Sequence, residues 1–88
     1  MPASVKISVE DDNGTCLVWD RATSWRGARA LLADFQAAIG PLGRANVKIL
    51  VENATLSCLQ WDTVSSWRAA RNFVSNAQAD FGLIEQAA

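Results

Sequence analysis

With 88 residues, half of them hydrophobic and 19% charged, the chain is long enough for one domain and too short for two, and its balance is far from that of a disordered segment. Eight basic residues against nine acidic ones leave a net charge of -1, so the basic excess of a dedicated phosphate-backbone binder is missing. Two cysteines and no histidine do not make a zinc site, and no apolar run approaches the roughly 20 residues that cross a bilayer.

The opening Met1-Pro2-Ala3-Ser4-Val5-Lys6 has no charged stretch followed by an apolar core, so a signal peptide is not expected and a cytoplasmic setting is. Val5, Ile7 and Val9 then alternate with Lys6, Ser8 and Glu10, the period-two pattern of a half-buried strand. Asp12-Asn13-Gly14 supplies a turn, with Gly14 at the left-handed position of a type I turn plus bulge. The register that follows pairs Val9 with Leu17 and Ile7 with Trp19. It puts Leu17 and Trp19 inward and Cys16 and Val18 outward.

After Trp19 the period becomes helical. Trp25, Ala28, Leu32, Phe35 and Ile39 form one apolar stripe, with Asp20 or Thr23 as the expected cap and Gly40 as the stop. Pro41 to Asn46 are a short linker, after which the pattern starts again. Residues 5–40 and 47–82 align without a gap at an offset of 42, and seventeen of the 36 positions are identical. Chance does not produce that, so the chain is read as one domain over 1–88 built from two copies of a strand–strand–helix unit. In the second copy Asn53-Ala54-Thr55 fits a glycosylation sequon, read as chance without a secretory signal. Leu56 replaces the turn glycine, so a rearranged turn is expected there. Trp67, Ala70, Val74, Ala77 and Phe81 repeat the helical stripe between Asp62 or Ser65 and Gly82.

The expected class is therefore α+β: tandem ββα repeats (ββαββα) in a pseudo-twofold domain, with a four-stranded antiparallel or mixed sheet and both helices on one face. The second and third strands run parallel, joined by a crossover expected to be right-handed. Two symmetric strand orders satisfy this, 1-2-4-3 and 2-1-3-4. Lysine and glutamate guard sheet edges, and Lys6, Glu10, Lys48 and Glu52 lie on the first and third strands, which favours 1-2-4-3. That is the order of a circularly permuted ferredoxin-like fold, an analogy of topology that carries no function.

All four tryptophans are expected in the core, where a small domain needs their bulk. The open sheet face is expected to show Cys16, Val18, Leu50, Cys58 and Gln60 as an apolar stripe fringed by charge, the anatomy of a homodimer interface. Cys16 and Cys58 would lie near the pseudo-twofold axis as small hydrophobes. Arg26, Arg29, Arg68 and Arg71 oppose the helix dipole, so something else holds them. They are either a site for an anion or for an acidic residue of a partner, or struts to the acidic hairpin of the other repeat.

No catalytic residue, metal or cofactor is expected, since a Ser/Cys–His pair and a phosphate loop are both missing. Elimination leaves a non-catalytic protein-interaction module, a small regulator or inhibitor that self-associates through its open sheet face. A nucleic-acid-binding accessory protein using the helix arginines comes second, because the expected outer face carries no aromatic to stack a base. A small enzyme comes last.

Overall fold

The structure, a computed structural model, describes residues 2–82 and 84. The elements follow the expected ββαββα sequence: β1 (Ser4–Glu10), β2 (Cys16–Ala22), α1 (Trp25–Ile39), β3 (Asn46–Glu52), β4 (Cys58–Val64) and α2 (Trp67–Phe81). The sheet is antiparallel throughout, in the order β2-β1-β3-β4. β1 and β3 are therefore central, which corrects the favoured order 1-2-4-3 to its alternative. The lysines misled because Lys6 and Lys48 do not guard an edge; they stand on the solvent side of central strands.

The duplication appears in the register. β1 and β3 pair so that Ile7 lies opposite Ile49, its own equivalent in the other repeat, and the pseudo-twofold axis passes through that pair. On the helix side Val5, Ile7, Val9, Val47, Ile49 and Val51 are completely buried. Trp25, Ala28, Leu32 and Phe35 of α1 and Trp67, Ala70, Val74 and Ala77 of α2 close over them. Ser24 and Ser66 cap the helices by accepting from the N–H groups of Gly27 and Ala69, in place of the expected Asp20 or Thr23 and Asp62 or Ser65. Gly40 and Gly82 end the helices at φ 77° and 72°, as expected.

The first turn has the expected geometry. Asp11 donates to the carbonyl of Thr15, Gly14 donates to that of Asp11, and Gly14 sits at φ 82°. The second turn is not rearranged. Asn53 and Ser57, and Leu56 and Asn53, repeat both bonds, and Leu56 takes φ 64°. Asn53 Oδ1 accepts from the N–H of Thr55 and of Ser57, as Asp11 Oδ1 does from Asn13 and Thr15, and this lattice holds Leu56 in a left-handed conformation.

One step beyond each turn the ladder slips. Glu10 pairs with Cys16 but Val9 pairs with Val18, and Glu52 pairs with Cys58 but Val51 with Gln60. Each bulge places an extra residue, Leu17 or Leu59, in the edge strand and inverts the faces of everything after it. The expected partners of Val9 and Ile7 were Leu17 and Trp19; the observed ones are Val18 and Asp20.

Candidate binding face

The inversion rebuilds the open side of the sheet. Trp19 now lies opposite Ser8 and Trp61 opposite Leu50, both on the side away from the helices. Two transverse rows result: Arg21–Lys6–Leu50–Trp61 and Trp19–Ser8–Lys48–Thr63. The pseudo-twofold exchanges them, with Arg21 and Thr63 as the one unlike pair at their ends that differs in charge. Trp19 is 52% exposed and Trp61 60%, with Leu17 at 52% and Leu59 at 40% beside them. The core reading therefore holds for Trp25 and Trp67 and fails for Trp19 and Trp61.

Each exposed indole lies beside at least one cation. Lys6 Nζ is 5.0 Å from the ring centroid of Trp19 and the Arg21 guanidinium carbon 5.6 Å, while Lys48 Nζ is 5.5 Å from that of Trp61. Such contacts contribute about 0.5–1 kcal/mol at exposed sites and hold the rings in place. Arg21 also donates through Nε to Glu52 Oε1 at 3.2 Å, across the intervening β1, so the buried carboxylate of Glu52 is compensated.

The expected interface residues are dispersed. Leu50 is on the open face, half-buried between Lys6 and Trp61. Val18 packs against the core and Gln60 shares the helix-side register of Val51, so neither belongs to the open face. Cys16 and Cys58 are exposed thiols on opposite edge strands, not neighbours at the axis. Three strand spacings of about 4.8 Å separate those edges, well beyond the roughly 7 Å limit for a disulfide.

The four arginines do not form one site either. Arg29 donates to Gln78 Oε1, and Arg71 to Gln36 Oε1 at 2.9 Å, so both tie the two helices together. Neither reaches an acidic hairpin. Arg26 and Arg68 are exposed and have no hydrogen bond or ion pair among the described residues. Asp20 and Asp62 accept from the N–H of the next residue, Arg21 at 2.7 Å and Thr63 at 2.8 Å. Both stand on edge strands, where an internal partner for an N–H and a charge on the helix side discourage pairing with another chain.

Lys6 and Lys48 lie on the open face, where the sequence puts them as its charged fringe; Leu17, Trp19, Leu59, Trp61 and Arg21, which join them there, are not expected on it. A signal was present: Arg21 has the strand parity of Leu17 and Trp19, and an arginine on the core side of a strand is costly. No family model, curated protein or solved structure matches the chain. No helix among the described residues is long and apolar enough to cross a membrane.

Proposed function

We propose that the protein is a non-catalytic binding module whose contact surface is the open face of its sheet. The observation that carries this is the exposure of Trp19 and Trp61, with Leu17 and Leu59, on one face of a domain whose other face holds a closed core. Scattered surface leucines are ordinary; two indoles and two leucines gathered on one sheet face are the pattern of a recognition surface. A small regulator or inhibitor that binds another protein, or a second copy of itself, is the protein–protein form of this reading.

The test pairs stability with capture. Trp19→Ser/Trp61→Ser should cost about 1.5–3 kcal/mol in denaturant unfolding, the worth of the three exposed cation–π contacts, while abolishing retention of a partner from the source cell. A cost above about 4 kcal/mol, the range of a buried aromatic, would show that the indoles are structural. Partner retention lost in Arg26→Ala/Arg68→Ala and kept in the tryptophan variant would move the contact surface to the helices.

A further inference from the structure

We infer that the occupant of the open face is an extended single strand of DNA or RNA, an inference that rests on reading this face as the contact surface. Trp19 on β2 and Trp61 on β4 stand at opposite edges of the sheet, related by the axis through Ile7 and Ile49. Three strand spacings, about 14 Å, separate their strands, which leaves room for a short run of nucleotides between two stacked bases. An exposed indole stacks on any unpaired base, so such a platform tolerates sequence and requires single strands.

The cations make the case specific. Lys6, Arg21 and Lys48 lie on the same face as the indoles and over their rings, where a phosphate backbone running between the stacked bases meets them. Most of the acids are elsewhere. Asp20 and Asp62 pair with Ile7 and Ile49 on the helix side, Asp34 and Asp80 ride on the helices, and Asp11 and Asp12 are in the first hairpin loop. Glu52 is committed to Arg21, and Glu10 stands at the hairpin end of the face. A net charge of -1 thus conceals a platform whose middle is positive.

A second copy suits the face less well. Lysine is depleted from interface centres, yet Lys6 and Lys48 flank the axis here, and two copies face to face would bring four ammonium groups together. The half-sites are also unequal. Trp19 has Lys6 and Arg21 over it and Trp61 only Lys48, because Thr63 stands where the first repeat has Arg21. The first half-site is the stronger.

Fluorescence anisotropy of labelled 12-nucleotide oligo-dT and oligo-rU, beside a duplex of equal length, tests this on the full chain at low salt. Both single strands should bind at least tenfold tighter than the duplex, with a log–log salt slope of about -1.4 for phosphate contacts by Lys6 and Lys48, since Arg21 is paired with Glu52. Trp19→Ala and Trp61→Ala, each with a retained cooperative melt, should weaken binding about tenfold or more, the former by the larger factor, and Thr63→Arg should tighten it. Equal affinity for duplex and single strands overturns the inference, as does unchanged affinity in folded Trp19→Ala and Trp61→Ala. So does a sedimenting dimer that Lys6→Gln/Lys48→Gln tightens. That last result would leave the contact-surface reading standing, whereas unfolding of Trp19→Ser/Trp61→Ser would remove both.

Discussion

Trp67, in the first turn of α2, donates its indole N–H to the carbonyl oxygen of Gly40, the C-terminal cap of α1, at 2.8 Å. Trp25 makes the same bond to Gly82 at the end of α2. Each repeat thus holds the end of the other's helix, and the two helices, with Arg29–Gln78 and Arg71–Gln36 between them, are closed at both ends. A carbonyl at a helix C-terminus has no intrahelical partner, and here a core residue of the other half supplies one.

Trp67→Phe keeps most of the buried ring and removes the donor. The expected loss is about 1–2 kcal/mol, from one hydrogen bond and a carbonyl left partly unpaired. Trp67→Ala should cost about 3–5 kcal/mol. Denaturant unfolding distinguishes them. If the phenylalanine variant is as stable as the parent, the indole N–H contributes nothing and only packing joins the helix ends.

Leu56 is strained where Gly14 is not. The two turns share their hydrogen bonds, but a left-handed conformation costs a non-glycine residue about 1–2 kcal/mol, and the Leu56 side chain is mostly exposed. Leu56→Gly should therefore raise the unfolding free energy by about 1 kcal/mol, after the entropy that glycine adds to the unfolded chain. A destabilised variant would mean that the leucine makes contacts worth more than the strain.

How much of this was legible in the sequence depends on which residues carried the signal. Seventeen shared positions made the two units, their helices and the Gly14 turn readable. The bulge was not. The segment Cys16-Leu17-Val18-Trp19 has an apolar or neutral side chain at every position, so either face could be buried, and one inserted residue exchanges them. With Trp19 inward, the outer face has no aromatics and nucleic acid loses its strongest argument. Strand order failed for a related reason. A lysine on a strand marks solvent, and on a sheet with one open face solvent is reached from the centre as well as from the edge. The caps were missed by one residue because Thr23-Ser24 and Ser65-Ser66 both offer hydroxyls, and only the backbone selects between them.

Arg21 serves two partners, the Trp19 ring and Glu52. Glu52 is 5% exposed, so Arg21→Ala leaves a buried carboxylate without its ion pair. About 2 kcal/mol should be lost, less than for a fully buried pair because Arg21 itself reaches solvent. Adding Glu52→Gln should restore part of it, since a neutral amide is cheaper to bury alone. Thermal unfolding of the two variants settles the matter: a double variant no better than the single one would show that Arg21 acts through Trp19 and not through Glu52.

Arg26 and Arg68 occupy the second position of helices that carry no acidic residue in their first turns. A cation there opposes the positive end of the helix dipole, and a carboxylate would be favoured by about 0.3–1 kcal/mol at each site. Arg26→Glu/Arg68→Glu should therefore raise stability by about 1 kcal/mol at low salt, with the gain shrinking as salt is added. At salt that screens the four added negative charges, the same variant should bind single-stranded oligonucleotides as the parent does, because these arginines lie on the helices, away from the open face. If it is less stable, the guanidinium groups hold a structural contact. If it is stable but has lost its partner, the arginines are a binding site after all, and the helix side would join the sheet as a working surface.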